Sequence, residues 1–243
     1  MRAIITGHSG GLGAALCDAL LARGCSVLGL SRRGNPALAA HFPDSLREVA
    51  IDLADPGAID ALVGGAPWRS FTDTDGRIAL INNAGMLAPI GPVGQQGGAQ
   101  IAQAVAVNVA APLILTDAFV AATRRALDRR VLHVSSGAAR SAYAGWSIYC
   151  ATKAALDHHA RAVIEDRQPG LHIASVAPGV IDTAMQDQIR AVDADRFPSV
   201  GRFRQLKADG HLQRPEDSAR RLIAFLVDED FGRDAAVDIR DLA

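Results

Sequence analysis

Cysteine is scarce in this chain, and neither sign of charge is in excess. The three cysteines, Cys17, Cys25 and Cys150, are an odd number without metal-ligand spacing, so we expect neither a disulfide framework nor a metal site. Free thiols of this kind are typical of the reducing cytosol. The 25 basic and 26 acidic side chains give a formal net charge of −1. That balance offers no electrostatic reason to bind nucleic acid or an anionic membrane.

The sequence also lacks the marks of export, of membrane insertion and of several domains. We expect no apolar run to reach the length of a membrane span, and residues 1–5 lead into a strand pattern instead of a signal peptide. The 243 residues, 49% of them apolar, suit one large α/β domain. Since we find no internal repeat and no linker, we expect residues 1–243 to form a single domain in the cytoplasm.

A glycine-rich turn follows the first apolar segment. Residues 2–6 predict a short strand, residues 6–13 (TGHSGGLG) form the turn, and Leu12, Leu16 and Leu20 predict a helix that ends near Gly24. Glycines let the backbone turn sharply and approach a pyrophosphate, which then lies on the helix N-terminus. A plain glycine-rich turn is the alternative, but the strand–turn–helix setting favours dinucleotide binding.

The most informative stretch runs from Val131 to Lys153. It begins as an apolar, β-favouring run, breaks at the Ser-Ser-Gly of residues 135–137 and enters a helix near Ser147. Tyr149 and Lys153 are four residues apart, so they share a face of that helix. We expect Ser136 at the end of the preceding strand, where side chains leave the sheet and can face a cleft.

These three side chains suit proton exchange with a carbonyl or an alcohol. A phenol titrates at about 10, and a neighbouring ammonium group lowers that pKa because it stabilises the phenolate. Tyr149 could then give a proton to the substrate oxygen or take one from it, and Ser136 could hold the same oxygen by a hydrogen bond. Taken alone, Tyr149 and Lys153 could equally be an ordinary surface pair and Ser136 a strand cap.

The rest of the chain decides between these interpretations. A serine thirteen residues before a Tyr-x-x-x-Lys resembles the active site of the short-chain dehydrogenase/reductase family, and Ser136, Tyr149 and Lys153 stand at that spacing. The glycine-rich turn, the Asn-Asn-Ala-Gly of residues 82–85 and the P-G-x-x-x-T of residues 178–183 match further segments of the family. Residues 145–153 (GWSIYCATK) resemble the branch that contains the sepiapterin and benzil reductases.

The resemblance implies a fold and a set of roles. The fold is a single-domain, Rossmann-like, doubly wound parallel α/β sheet of about seven strands with helices on both faces. Tyr149 would be the proton donor, Ser136 would orient the carbonyl, Lys153 would hold the nicotinamide ribose, and Asn108 would bind a water that resupplies protons. We expect the cofactor contacts to be Gly7, Ser9, Gly11, Leu12, Gly13, Ser31, Arg32, Arg33, Asp52, Leu53, Asn83, Ala84, Gly85, Tyr149, Lys153, Pro178, Gly179, Val180 and Thr183.

The end of the second predicted strand favours NADP(H) over NAD(H). An acidic residue at this place bonds the ribose 2′-hydroxyl of NAD, whereas an arginine accommodates the 2′-phosphate of NADP. Here Ser31 stands where the acid would be, and Arg32 and Arg33 follow it; a guanidinium fork fits a phosphate well. A solvated basic turn is the alternative. Asp52 could likewise cap the next helix as well as contact the adenine.

Substrate contacts are expected beside the catalytic residues and near the C-terminus. Ser136, Trp146 and Tyr149 are candidates, and residues 185–213 suit a mobile lid because they mix charges, aromatics and a proline. Residues 231–241 (FGRDAAVDIRD) resemble the end of sepiapterin reductases, which implies that Asp238 binds a pterin ring. Asp238 could instead end a strand or bond a nearby backbone N–H, and residues 86–98 fit the benzil reductases, which favours an aromatic ketone or diketone.

Together these features predict an NADPH-dependent oxidoreductase that reduces a small ketone or aldehyde. An NAD-dependent alcohol dehydrogenase is one alternative, but it conflicts with Ser31 and Arg32. A non-catalytic sensor of the same fold is another, although a sensor would need no proton donor. Helices near 101–127 and 147–167 resemble those that pair in dimers of the family. We expect a homodimer, or a tetramer built from it, with small residues at the contact: Ala104, Ala111, Ala118, Ala155 and Ala162.

Overall fold

The computed structural model describes residues 1–242 and contains one seven-stranded parallel sheet in the order β3-β2-β1-β4-β5-β6-β7. All six neighbouring strand pairs are parallel. This is the Rossmann-like, doubly wound fold that the sequence predicts. The strands are β1 Arg2–Thr6, β2 Ser26–Ser31, β3 Leu46–Ala50, β4 Arg77–Asn82, β5 Asp128–Val134, β6 Leu171–Ala177 and β7 Ala236–Asp238.

Helices cover both faces of the sheet. They are α1 Gly11–Leu21, α2 Pro36–His41, α3 Pro56–Val63, α4 Ala66–Thr72, α5 Gly98–Val105, α6 Ala111–Ala122, α7 Ser147–Glu165, α8 Ala184–Arg190, α9 Val200–Ala208 and α10 Pro215–Val227. A π-helical turn, Ala106–Ala110, joins α5 to α6, and a 3₁₀ turn, Gly137–Ala139, follows β5.

The core lies in two layers because successive side chains of a strand point to opposite faces of the sheet. Ile5 of β1 packs in one layer with Leu16 of α1 and Leu222 of α10. Its neighbour Ile4 packs in the other layer, which includes Phe119 of α6. Strands that are buried on both faces need nearly continuous apolar runs, and the central strands have them.

The strand order creates a crevice beside β1. The chain moves outward from β1 through β2 to β3, returns to form β4 on the other side of β1, and then continues to β7. The crossovers on either side of β1 therefore run in opposite directions across the sheet. In an open parallel sheet, this change of direction leaves a ligand-binding crevice at the carboxyl ends of the strands.

The segment Gly98–Ala122, formed by α5, the π-helical turn and α6, has the length and hydropathy of a membrane span. This finding corrects the expectation that no apolar run would approach such a length. Leu115 and Phe119 on one side of α6 are fully buried in the layer described above, as in a core helix of a globular protein. Pro112 lies two residues after the π-helical turn, inside this continuous helical segment, where a proline cannot donate a backbone hydrogen bond.

Candidate active site

A cleft of about 760 Å³ opens at the edge of the sheet where the strands end. Its lining comes from the carboxyl ends of all seven strands, from α7 and from the segment of α8 and α9. The lining includes the glycine-rich turn, the residues after β2, and aromatic side chains of α9 and of the segment before α7. The proton-transfer candidates Ser136, Tyr149 and Lys153 line the same cleft.

Ser136 and Tyr149 both line the cleft, and their side chains share a hydrogen bond. Ser136 follows β5, and its Oγ accepts a hydrogen bond from the Ala138 backbone N–H at 3.2 Å, which fixes the start of the 3₁₀ turn. Tyr149 lies in the first turn of α7 and is only 7% exposed. Burial raises the pKa of the Tyr149 phenol, and the Ser136 hydroxyl opposes this by hydrogen bonding. The phenol is therefore protonated at neutral pH and can act as an acid.

Lys153 lies one turn along α7, with its Nζ 5.8 Å from the centre of the Tyr149 ring. The ammonium donates a hydrogen bond to the Val134 carbonyl at 2.7 Å, which ties α7 to the end of β5. Burial lowers the pKa of Lys153 to about 8, and the carboxylate of Asp157 works against that fall. The predicted lowering of the Tyr149 pKa by the neighbouring ammonium is therefore wrong, because burial raises that pKa instead.

Asp157 is a buried carboxylate that composition and spacing did not single out. It lies four residues after Lys153 on α7 and is 2% exposed. Its Oδ1 accepts hydrogen bonds from Ser135 Oγ and Ser175 Oγ, both at 2.7 Å. Its Oδ2 has no hydrogen-bond partner within residues 1–242 and lies 3.8 Å from Arg140 Nε. The carboxylate therefore joins the ends of β5 and β6 to the catalytic helix.

Asn108 lies in the π-helical turn and is 1% exposed. Its side-chain amide binds the backbone of Met86 twice, donating to the carbonyl and accepting from the N–H, both at 2.8 Å. It also donates to Thr152 Oγ1 at 3.2 Å. Asn108 does not itself line the cleft. A π-turn inside an α-helix is frequent at functional sites, and here it holds the segment after β4 against α7.

The glycine-rich turn is built so that its backbone is accessible to a ligand. Gly7 adopts a φ of +72°, in the left-handed region that favours glycine. A Cβ on Gly13 would lie 2.1 Å from the Gly7 carbonyl oxygen, so only glycine allows α1 to start against this turn. The Asn83 side chain bonds the Thr6 carbonyl at 2.9 Å, which braces the turn from β4. These residues suit a dinucleotide pyrophosphate at the N-terminus of α1.

The segment after β2 borders the same end of the cleft. Arg32 and Arg33 are exposed and line it, and the Ser31 hydroxyl donates to the Arg33 carbonyl. Glu48 of β3 accepts from the Asn35 N–H and binds His8 Nε2, both at 2.6 Å. This pair of contacts links the glycine-rich turn to the arginine-bearing segment.

The other end of the cleft is an aromatic wall. Trp146 is 4% exposed and stacks on Phe197, with ring centroids 4.4 Å apart and an interplanar angle of 11°. Phe203 of α9 and Tyr143 complete the wall at 5.3 Å and 5.2 Å from Trp146. The side chains of Trp146, Phe203 and Tyr143 make this end of the cleft aromatic, which suits an aryl group of a substrate. Trp146 is one of the predicted substrate contacts, whereas the partners on residues 197 and 203 could not be assigned from an irregular segment.

Asp238, at the end of β7, lines the cleft but is already paired. Its Oδ1 accepts from Arg240 Nε at 2.8 Å and from the Arg240 backbone N–H at 3.0 Å, and its Oδ2 accepts from Arg240 Nη2 at 2.7 Å. The hydrogen bonds from Arg240 lower the pKa of Asp238. This geometry matches the alternative in which Asp238 ends a strand and bonds a nearby backbone N–H.

The structure thus gathers the predicted site residues, apart from Asn108, along one cleft. The catalytic, cofactor and substrate candidates form a continuous lining from Arg32 to Trp146. Sequence reasoning missed Tyr143, Phe203 and Arg202 of the aromatic end, and Asp157 behind Lys153. Ser135 follows β5 and Ser175 lies in the adjacent β6, but nothing in their sequence spacing indicates that they share a buried carboxylate.

Comparisons with known proteins agree with this geometry. The family model described as short chain dehydrogenase matches residues 1–194. The chain belongs to the short-chain dehydrogenase/reductase family. It is an oxidoreductase, and members of this family use nicotinamide cofactors, for which the glycine-rich turn and the residues after β2 offer a fitting site.

Relatives within the family point to carbonyl reduction. The chain is 35% identical to a benzil reductase, (S)-benzoin forming, of Bacillus cereus over 97% of this chain and 98% of that protein. It is 31% identical to a sepiapterin reductase of Bos taurus, with 98% and 94% covered. A crystal structure of a short-chain dehydrogenase/reductase from Burkholderia vietnamiensis shares 46% identity at a TM-score of 0.72, covering 100% of this chain and 98% of that one.

Proposed function

We propose that this protein reduces a ketone or aldehyde with NADPH, as a single domain in the cytoplasm. The observation that carries the proposal is that Ser136, Tyr149 and Lys153 line the same cleft as Arg32 and Arg33. The cofactor, when bound, supplies the hydride to the carbonyl carbon. The side chains of this protein then have to hold the carbonyl and deliver a proton to its oxygen.

Tyr149 is the proton donor in this proposal. Its raised pKa keeps the phenol protonated at neutral pH, so the O–H is available as the carbonyl oxygen gains negative charge. Ser136 donates a second hydrogen bond to that oxygen, which favours the charge that develops there. Lys153 is mostly charged below its pKa of about 8, and its ammonium stabilises the phenolate left after proton transfer.

Asn108 and the lid complete the proposed machinery. Asn108 fixes the backbone of Met86 and the helix that carries Lys153, and we assign to it the proton resupply route behind the lysine. The segment of residues 185–213 contributes Ile189 and Phe203 to the cleft wall. As a lid over the substrate, it would exclude water from the reacting carbonyl.

The aromatic wall favours an aromatic ketone or diketone over a pterin as the substrate. Trp146, Phe203 and Tyr143 offer flat faces for an aryl ring. A pterin bound through Asp238 would instead need its carboxylate, whose oxygens already accept three hydrogen bonds from Arg240. The similarity to benzil reductases supports the same choice.

The test is the consumption of NADPH with two substrates, followed at its absorbance band in wild-type protein and in Asp238→Asn. We expect turnover of benzil, with a kcat/KM that the substitution leaves almost unchanged. Selective loss of sepiapterin turnover in Asp238→Asn would favour the pterin assignment instead. Tight NADPH binding without turnover of benzil, sepiapterin or simple aryl ketones would support the non-catalytic sensor and refute the proposal.

A further inference from the structure

The aromatic end of the cleft carries one cation, Arg202 of α9, that has no carboxylate partner among residues 1–242. Arg202 lines the cleft, and its guanidinium donates to Tyr143 Oη at 3.3 Å. The other charged pair at this end is neutral overall, since Arg240 and Asp238 bind each other at 2.7 Å. Among the charged side chains that line this end of the cleft, Arg202, Asp238 and Arg240, the balance is therefore positive.

A chain of aromatic contacts connects the proton donor to this cation. The Tyr149 ring lies 5.5 Å from Trp146, and Trp146 lies 5.2 Å from Tyr143, both measured between ring centroids. The hydroxyl of Tyr143 then meets Arg202. A substrate whose carbonyl is held at Tyr149 and whose ring lies along Trp146 would place the far side of that ring toward Arg202.

We propose that the preferred substrates are aryl ketones that carry a carboxylate on the side of the ring opposite the carbonyl, and that Arg202 binds this carboxylate. The inference rests on the proposed function, because it names the substrate class of the same site. A guanidinium fork matches the two oxygens of a carboxylate. The Tyr143 hydroxyl, which Arg202 already holds, is a second donor beside it.

Turnover of two matched ketones tests the proposal. The first is 4-acetylbenzoate, and the second is 4-acetylbenzamide, its uncharged counterpart of nearly the same shape. We expect kcat/KM to be about tenfold higher for 4-acetylbenzoate than for 4-acetylbenzamide, because Arg202 forms charge-assisted bonds at a partly exposed site. Arg202→Gln brings the ratio of the two kcat/KM values close to one, whereas Arg202→Lys keeps part of the preference. The preference also shrinks as salt is added.

Arg233→Gln is the matched control. Arg233 is an exposed arginine that pairs with the exposed Asp230 at 3.6 Å, and it does not line the cleft. Arg233→Gln removes the same net charge as Arg202→Gln but at a place outside the cleft. The preference for 4-acetylbenzoate should therefore stay at its wild-type value in this variant. An equal loss in Arg233→Gln and Arg202→Gln would show a general effect of net charge and overturn the proposal.

Binding of unreactive analogues separates this inference from the proposed function. Calorimetry with the NADP⁺-saturated protein compares 4-methylbenzoate with 4-methylbenzamide, and we expect tighter binding of the benzoate in wild-type protein but not in Arg202→Gln. Equal binding of the two analogues, together with turnover of 4-acetylbenzamide, overturns the carboxylate site and leaves carbonyl reduction standing. A benzoate preference that depends on Arg202, without turnover of either ketone, supports the carboxylate site and refutes the reductase.

Discussion

Single residues of this protein show that burial and charge act against each other at the catalytic centre. Burial alone would drive a lysine to its neutral form, yet Lys153 keeps a pKa of about 8 with Asp157 one turn away. The carboxylate is itself buried and holds two serine hydroxyls through one oxygen. Asp157 thus holds Ser135 and Ser175 by hydrogen bonds and also raises the pKa of Lys153 by its charge. A substitution that keeps the hydrogen bonds and removes the charge separates these two effects.

Asp157→Asn removes the charge and keeps the hydrogen bonds, because the amide oxygen can accept from Ser135 and Ser175 as Oδ1 does. Lys153 is charged below its pKa and neutral above it, so losing the carboxylate lets that pKa fall further below about 8. We expect the alkaline limb of the kcat–pH profile to move to lower pH.

The control for this prediction is Ser175→Ala, which deletes one of the two hydrogen bonds without changing any charge. It lowers thermal stability by an amount typical of a lost hydrogen bond, on the order of 1 kcal/mol, and the alkaline limb stays in place. If Asp157→Asn lowers kcat by the same factor at every pH, Asp157 acts only as a structural residue.

Secondary-structure elements bring these residues together in ways that the sequence predicts only in part. The strands could be predicted because buried parallel strands need apolar runs, and the Tyr149–Lys153 face of α7 follows from helical spacing. Residues 64–76 have a polar, glycine-containing composition that predicts a surface connection. The structure contains α4 there, because Trp68 and Phe71, three residues apart, both reach the core.

The contacts that sequence patterns do not predict lie mostly in irregular segments. The aromatic wall combines Trp146 of one segment with Phe197 and Phe203 of another, and only the tertiary fold brings them within 5.3 Å. The pairing of Asp238 with Arg240 depends on the backbone turn after β7, which residue order alone does not specify. Local patterns therefore predicted which polar side chains meet in the cleft, while long-range contacts decided the lining of its aromatic end.

The segment after β2 is predicted to select the cofactor. Replacing both Arg32 and Arg33 by Ala should weaken NADPH binding by roughly 1.5–3 kcal/mol, the range for one charge-assisted hydrogen bond. The second arginine should add little, because water screens its charge at this exposed segment. NADH binding should change little because it has no 2′-phosphate. Titration of both cofactors measures the difference, with Arg47→Ala, an exposed arginine of β3 outside the cleft, as the control.

Equal losses for NADPH and NADH in the double variant would contradict this assignment. They would indicate that the two arginines support the adenosine end as a whole, or only the fold of the segment after β2. A loss confined to NADPH, with Arg47→Ala at the wild-type value, would support the proposed choice of NADP(H).

The outer face of the Gly98–Ala122 segment exposes a large apolar side chain, which bears on how the protein assembles. Val105 on α5 is 42% exposed although it is large and apolar. The expected small contact residues divide into two groups. Ala104 and Ala111 are each 1% exposed, so they pack inside the protomer and cannot meet a partner. Ala118, Ala155 and Ala162 retain exposed surface.

We predict that this face is covered by a second copy of the chain. Light scattering at micromolar concentration should give about twice the chain mass of 25.4 kDa, and Val105→Glu should shift it toward the monomer, because a buried unpaired charge is costly. Leu127→Glu is the matched control, since Leu127 is 84% exposed but lies outside both helices. A monomer mass for the wild-type protein would refute the dimer.

Tyr149→Phe tests whether Tyr149 delivers the proton during carbonyl reduction. The substitution removes one hydroxyl from a buried ring, so NADPH affinity should stay near the wild-type value by titration. The kcat for benzil should fall by two or more orders of magnitude, the contribution typical of a general acid. A variant that binds NADPH normally and reduces benzil at a rate close to that of the wild type would contradict the account.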